Sequence, residues 1–303
     1  MRVRLTVIAK TNATVARAMS PSHARALVLI LAVATLAGCG SAAGGGGDGI
    51  SISVTRDFGA EDVIALQRQP VPAEGGLGPI LARSPNPRGA QSLFVNGILA
   101  EKPVSRLTVH GGDRVWLDQH EPGVAREIPA VVGSFPEPFL HGSDGKRLPV
   151  RVECDDPRAG SCAAVADKLV GLGVVAGRSI ISRSAADETV RILVAPWNRL
   201  RGREFEADSI DAGPRRSGVY ARFDSAGDRL LVLDAGGRVA KTLGAGTGLI
   251  AATRETNRRP VWFVTGTDDA GVAAAARALD ESVLSDRFAI AISNDLPVAV
   301  PQP

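Results

Sequence analysis

Aromatic residues are scarce in this sequence, where they make up 4% of the chain and include a single tyrosine. Only three cysteines and four histidines are present. Neither the H-E-x-x-H motif of zinc hydrolases nor the G-x-S-x-G motif of serine hydrolases occurs anywhere in the chain. Because no acid/base pair stands out among the scattered carboxylates, we predict a protein that is not an enzyme and that needs no cofactor.

The chain also lacks an apolar run long enough to cross a bilayer. Its most apolar run, residues 26–37, has about twelve residues, whereas a spanning helix needs about twenty. Residues 1–25 before it contain five basic residues and no acidic one. A basic start followed by a short apolar core is typical of a secretory leader, so we expect residues 1–38 to be removed.

The end of this leader, Leu36-Ala37-Gly38-Cys39, looks like a bacterial lipobox, in which the cysteine thiol is acylated before cleavage. The alternative is an ordinary secretory peptide with an incidental Cys39. We predict lipidation at Cys39, because two or more acyl chains anchor a protein durably. The glycine-rich residues 39–49 then form a flexible tether spanning about 16 to 19 Å. The expected location is the extracytoplasmic face of the cell membrane.

The basic character of the whole chain comes from the leader. The formal net charge is +3, and the leader contributes five positive charges and no negative one, so the chain from Cys39 onward has a net charge of −2. This balance gives no indication of a basic patch for nucleic acid. We therefore predict no nucleic-acid partner.

The two remaining cysteines, Cys154 and Cys162, flank a turn-rich segment. In an oxidising compartment, an even number of cysteines close in sequence indicates a disulfide. Two free thiols are the alternative. No second Cys/His pair lies near them in the sequence, which argues against a metal site.

The pattern of apolar residues changes near residue 147. Residues 50–146 predict short strands, among them 50–57, 92–100 with an Asn96-Gly97 hairpin turn, 105–110 and 113–120. The proline-containing segment 128–142 is expected to be extended and to cross a surface. Residues 147–295 alternate buried strands with helices, which favours a mostly parallel or mixed sheet covered by helices, and residues 296–303 form a tail. The predicted fold class is α+β.

The second half also contains helix signals and two loops rich in glycine or threonine. Residues 161–173 and 268–283 predict helices, and residues 246–255 predict a short helix. The glycine loop Gly244–Gly248 before it resembles a phosphate cradle, but we prefer a close approach of strand and helix backbones. In the segment 265–269, capping of a helix by Thr267 or Asp268 is preferred to a ligand-binding loop.

Four motifs of the first half, SISVTRDFG, LFVNGI, GGDRVWLDQH and VVGSFPEPFLHG, resemble those of actinobacterial lipoproteins with a transcobalamin-like C-terminal domain. The resemblance implies a small β-grasp-like domain at residues 50–146, followed by the α/β domain. It also implies a non-catalytic module that binds a small molecule, such as cobalamin or another vitamin, and passes it to a transporter subunit. The sequence departs from the family pattern because no tryptophan or tyrosine lies in the segment 92–97.

Alternation along the predicted strand 113–120 places Trp116, Asp118 and His120 on one face. An aromatic ring beside a carboxylate and an imidazole suits a flat polar ligand. The alternative is that Trp116 packs in the core while Asp118 and His120 cap the following loop. The predicted ligand-binding residues are Trp116, Asp118, His120, Asn96, Phe135, Phe139 and His141.

Two further interpretations remain open. The first is a cell-envelope scaffold that docks a partner through the apolar run around Phe135 and Phe139. The second is a metal-dependent hydrolase built on His120 and His141, with Asp118 as a further ligand. We predict no metal, because the histidines follow no metal-binding signature.

Overall fold

The computed structural model describes residues 49–73, 76–81, 90–182 and 188–302. The leader and the acylation site at Cys39 lie outside these residues. The described residues form one compact α+β unit, so the predicted fold class is confirmed at this level. Among the described residues, no helix has both the length and the hydropathy that crossing a membrane requires.

The described chain contains fifteen strands and seven α-helices. The strands are β1 (Gly49–Arg56), β2 (Glu61–Pro70), β3 (Ala90–Val95), β4 (Ile98–Leu99), β5 (Arg114–His120), β6 (Val150–Cys154), β7 (Ala176–Ile180), β8 (Val190–Pro196), β9 (Ala221–Phe223), β10 (Leu230–Leu233), β11 (Val239–Leu243), β12 (Gly248–Thr253), β13 (Val261–Gly266), β14 (Ala289–Ser293) and β15 (Leu296–Val300). The helices are α1 (Leu77–Leu81), α2 (Gly160–Gly171), α3 (Trp197–Leu200), α4 (Phe205–Asp211), α5 (Pro214–Ser217), α6 (Asp269–Ala278) and α7 (Glu281–Leu284).

The first sheet has five strands in the order β2-β1-β5-β3-β4, with the central strands β1 and β5 parallel and all other neighbours antiparallel. Ile50, Ile52 and Val54 alternate along β1 and are buried under α1. The predicted hairpin is confirmed: Asn96 and Gly97 both have positive φ, 53° and 74°, as a tight β3–β4 turn requires.

The second sheet has seven strands in the order β15-β14-β12-β13-β8-β6-β7. Strands β7, β6, β8 and β13 run parallel, whereas β12, β14 and β15 pair antiparallel, so the sheet is mixed. Helices α2 and α6 cover one face. The opposite face packs against a three-stranded antiparallel sheet, β11-β10-β9, and against α3 and α4. The second core also includes Phe94 and Trp116, which places one face of the first sheet in the interior.

Three sequence-based predictions of secondary structure are wrong. Residues 296–303, predicted as a tail, contain strand β15, which pairs with β14 at the edge of the seven-stranded sheet. Residues 105–110 do not form a strand: they contain the end of a 3₁₀ turn, Val104–Arg106, and irregular chain. The segment predicted as a helix at 246–255 contains strand β12 instead, whose six residues are all buried. Periodicity cannot distinguish a strand buried on both faces from a buried helix, because each is apolar all round.

The proline-containing segment 128–142 also differs from its prediction. It folds into successive turns, with backbone hydrogen bonds from Phe135 to Val132 and from Phe139 to Pro136. Phe135 and Phe139 are 1% and 3% exposed, and both rings contact Trp262 of the seven-stranded sheet. The segment therefore lies inside the protein rather than across its surface.

Candidate functional site

The predicted face of β5 exists, but it faces the interior. Trp116, Asp118 and His120 are 2%, 0% and 6% exposed. The Trp116 ring lies 5.0 Å from that of Phe288, which precedes β14. Alternation along the strand places the three side chains on one face, and the packing of the first sheet against the second core then buries that face.

The polar atoms at this face are bonded to one another. The Trp116 indole Nε1 donates to Thr55 Oγ1 over 2.8 Å, and the Thr55 hydroxyl donates to Asp118 Oδ2 over 2.6 Å. The backbone nitrogen of Gly59 donates to the same carboxylate over 2.9 Å. Burial raises the pKa of Asp118, and these hydrogen bonds oppose that rise. The group is arranged as an internal polar network, which agrees with the packing alternative for Trp116.

His120 is also held by internal contacts. Its Nδ1 donates to the Glu121 carbonyl over 2.9 Å, and its Nε2 lies 3.2 Å from Ser92 Oγ. The ring stacks on Phe58 with a centroid separation of 4.2 Å. Both ring nitrogens therefore have protein partners.

Asn96 and His141 lie away from this network. The Asn96 amide donates to Asp113 Oδ1 over 2.7 Å and to the Gly142 carbonyl over 3.0 Å, so it ties the β3–β4 turn to neighbouring loops. His141 Nδ1 lies 2.5 Å from Glu137 Oε1, and this hydrogen bond raises the pKa of His141. In the described parts of the chain, no group of three His, Cys, Asp or Glu side chains could hold a metal ion.

The predicted disulfide between Cys154 and Cys162 is confirmed. Cys154 ends strand β6, and Cys162 lies in the first turn of α2. Both residues are buried in the core between that helix and the sheet. The cross-link thus fixes the first helix of the α/β half to the strand that precedes it.

The two glycine-containing loops have structural roles. Asp268 caps α6 through a 2.8 Å bond from the Gly271 nitrogen to its Oδ1, and its Oδ2 accepts from the Gly246 nitrogen over 2.7 Å. A Cβ atom at Gly271 would lie 2.3 Å from the Thr247 carbonyl, and one at Gly248 would lie 2.5 Å from the Gly271 carbonyl. Capping by Asp268 and the close approach of strand and helix are both confirmed.

An open site among the described residues was not predicted. It consists of two adjoining cavities of about 620 Å³ and about 330 Å³, which we call the arginine cleft. Its walls are formed by the end of β4 and the residues after it, by the loop after β5, by α4 and α5, and by the end of β12. Its charged lining residues are Glu101, Arg126, Glu127, Glu206, Arg215, Arg216, Arg254 and Glu255.

Short contacts fix the walls of the cleft. The Thr253 hydroxyl donates to the Ser217 carbonyl over 2.7 Å and thereby joins the end of β12 to α5. Gly218 follows α5 with φ 75°, and a Cβ atom there would lie 2.6 Å from Pro129 Cδ. The backbone nitrogen of Leu99 donates to the Pro129 carbonyl over 3.2 Å. Hydrogen bonds and close packing therefore hold together the segments that carry the arginines.

Only one of the four cleft arginines is paired within the site. Arg254 Nη2 donates to Glu101 Oε1 over 2.8 Å. Within the described residues, Arg126, Arg215 and Arg216 form no ion pair. The Arg216 guanidinium lies 5.2 Å from the ring centroid of the exposed Phe205. Guanidinium groups without partners around a concave site can bind carboxylate or phosphate oxygens through paired hydrogen bonds.

The carboxylates in the cleft leave a positive surplus. Glu101 is paired with Arg254, and Glu255 is paired with Arg258 beside the cleft. Burial raises the pKa of Glu206, so its charged form is disfavoured relative to an exposed glutamate. Three unpaired arginines therefore face two carboxylates, those of Glu127 and Glu206, that have no ion-pair partner in the described chain.

The sequence carried only a faint signal for this site. Arg215 and Arg216 are adjacent and lie between two glycines, Gly213 and Gly218, in a short segment. The other cleft arginines are separated from them by tens of residues, so no spacing rule connects them. Comparison of this chain with protein-family models and with curated proteins finds no match.

Proposed function

We propose that the folded part of this chain is a non-catalytic module that binds a small anionic molecule in the arginine cleft. The observation that carries the proposal is the convergence of Arg126, Arg215 and Arg216, without carboxylate partners in the described chain, on a cavity of about 620 Å³. Cavities of roughly 300 to 1,000 Å³ are typical of small-molecule sites. The ligand class is a molecule with carboxylate or phosphate groups.

The position of the cleft supports a binding role. Its walls come from both halves of the chain, with Ala100 and Pro129 on one side and Arg215 and Thr256 on the other. Ligand sites occur preferentially where two substructures meet, because the groove between them is concave and can be lined by both. Vitamins with carboxylate or phosphate groups belong to the class that we propose to test. The cobalamin-like ligand implied by the resemblance carries one phosphodiester group and is tested with them.

We also propose that residues 50–146 are a β-grasp-like domain and that residues 147–295 are an α/β domain. The strand order β2-β1-β5-β3-β4, with parallel central strands between two hairpins and α1 packed on one face, supports the first assignment. The parallel strands β7, β6, β8 and β13 under α2 and α6 support the second. A fold alone names no ligand, so the binding proposal depends on the cleft.

We further propose that the module is anchored at the extracytoplasmic face of the cell membrane through acylated Cys39. The disulfide between Cys154 and Cys162 supports an oxidising compartment. A transporter subunit that receives the ligand is the proposed partner. A scaffold that docks through Phe135 and Phe139 has less support, because both rings are buried.

The binding proposal is tested by thermal unfolding of the chain from residue 40 onward with citrate, succinate, phosphate, pyrophosphate and a panel of acidic and neutral vitamins. A ligand that binds only the folded state raises the melting temperature with its concentration. We expect anionic compounds to do so and neutral ones to have no effect. Arg215→Glu should abolish the shift, because it reverses a charge that lines both cavities.

The matched control is Arg222→Glu, which makes the same change at an exposed position on β9 outside the cleft lining. This variant should retain the shift. Equal shifts in both variants would place binding elsewhere, and melting curves unchanged across the whole panel would refute the proposal.

The anchoring proposal needs a separate test in bacterial cells. We expect radiolabelled palmitate to enter the full-length protein and Cys39→Ser to block both labelling and cleavage of the leader. An unlabelled protein, or a Cys39→Ser variant that is processed as the wild type is, would refute the anchor and leave the binding proposal intact.

A further inference from the structure

Arg254 occupies the junction of the cavities. It lines both parts of the arginine cleft and a third neighbouring cavity of about 160 Å³. The Arg254 side chain is 14% exposed, which is less than the exposure of Glu101 or Glu255, the other cleft residues that form ion pairs. A group at this position can contact a ligand in any of the three cavities.

The guanidinium of Arg254 is only partly satisfied. Nη2 donates to Glu101, whereas the buried Nε has no hydrogen-bond partner among the described residues. An unmatched buried donor is unfavourable, and a charged one more so, because it has lost water without gaining a replacement. The Nε and Nη2 atoms lie on one edge of the guanidinium, and that edge matches the two oxygens of a carboxylate or phosphate group.

Glu101 holds this edge only weakly. The ion pair joins one oxygen, Oε1, to one nitrogen over 2.8 Å, and the Glu101 side chain is 60% exposed. Exposed ion pairs contribute little to stability, because water screens the charges and ordering a long side chain costs entropy. A ligand group that bonded to both Nε and Nη2 would have a more favourable contact than Glu101 has.

We infer that Arg254 is the anchor for the anionic group of the ligand and that Glu101 is an intramolecular competitor occupying that anchor in the ligand-free protein. Binding exchanges one carboxylate for another: Glu101 moves into solvent, and the ligand oxygens take Nε and Nη2. The three remaining arginines hold the rest of the molecule. This inference rests on the proposed binding function and specifies Arg254 as the residue that binds the planar anionic group.

The inference predicts a gain in affinity. In Glu101→Gln the competitor loses its charge, so the dissociation constant for citrate, measured by titration calorimetry, should fall about two- to five-fold, the factor that an exposed ion pair is worth. Arg254→Lys should raise it about ten-fold, because an ammonium group cannot bind two oxygens side by side.

Removing any negative charge from the cleft also favours an anion, and Glu127→Gln measures that effect. Glu127 lines the same cavity and has no ion pair within the described chain. Its substitution should therefore strengthen citrate binding less than Glu101→Gln does. Circular dichroism spectra of all three variants verify that the fold is unchanged.

The outcomes separate this inference from the binding proposal. Suppose that the wild type binds citrate, that Arg215→Glu does not, and that Glu101→Gln and Glu127→Gln bind it with equal affinity. The binding function would then stand, and the competitor role of Glu101 would be overturned. If citrate bound to Glu101→Gln but not to the wild type, Glu101 would exclude citrate from the wild-type cleft, and the competitor role would be supported. If neither the wild type nor Glu101→Gln bound citrate or any other compound of the panel, both the binding proposal and the competitor role would be overturned.

Discussion

The Trp116 indole nitrogen donates a hydrogen bond to the Thr55 hydroxyl across 2.8 Å, and this contact joins the two parallel central strands of the first sheet. The same hydroxyl donates to the fully buried Asp118 carboxylate. Thr55 thus acts as acceptor and donor at once, at a place where water cannot substitute for it.

Thr55→Val tests this role because valine keeps the shape and removes the hydroxyl. The change leaves the Trp116 donor without an acceptor and removes one hydrogen bond from Asp118, so we expect a loss of about 2 kcal/mol in the free energy of unfolding. Urea denaturation measures it. Thr242→Val on the exposed strand β11 is the control and should stay within about 0.5 kcal/mol of the wild type. Equal effects of the two substitutions would contradict the network.

Gly271→Ala tests the close approach between α6 and the loop before β12. Alanine favours helix over glycine by about 1 kcal/mol, so an isolated helix would gain stability. Here the new Cβ would lie 2.3 Å from the Thr247 carbonyl, a backbone atom that cannot rotate away. We expect a net loss of about 2 kcal/mol. At Gly244 an added Cβ would have no neighbour within 4 Å in the described chain apart from the adjacent residues, so Gly244→Ala should be nearly neutral. A stabilising Gly271→Ala would refute the tight contact.

Reduction of the disulfide should destabilise the fold without abolishing it. The Cys154–Cys162 bridge closes a loop of about nine residues, which corresponds to about 2.5 kcal/mol in the chain-entropy model. We expect reductant to lower the unfolding temperature of the wild type. It should have no effect on a Cys154→Ala/Cys162→Ala variant. A reductant-sensitive double variant would show that the effect arises elsewhere.

His141 predicts a pH dependence. The Glu137 hydrogen bond raises its pKa in the folded state, so protonated His141 stabilises the fold. That contribution is fully present below the unfolded-state pKa of about 6.5 and is lost as the pH rises through the higher folded-state pKa. The difference in unfolding free energy between wild type and His141→Asn should therefore be larger at about pH 6 than at about pH 9. If the difference in unfolding free energy between the two proteins increased with pH, the result would contradict a stabilising His141–Glu137 pair.

Several local features could be predicted from the residues themselves. The alternation of Ile50, Ile52 and Val54 predicts β1, and the Asn96-Gly97 pair predicts the hairpin, because both signals depend on neighbours in the chain. The short separation of Cys154 and Cys162 predicted their pairing for the same reason. Strand β12 was missed because burial on both faces removes the alternation that identifies a strand.

Whether a given face of a strand is buried or exposed could not be predicted from the residues of that strand. The sequence by itself determined that Trp116, Asp118 and His120 share one side of β5, since side chains alternate along any strand. Only the tertiary structure decided that this side is interior, because burial depends on which other sheet packs against it. The arginine cleft is decided in the same way: Arg126, Arg216 and Arg254 are remote along the chain, and only the packing of the two halves brings their charges to one cavity.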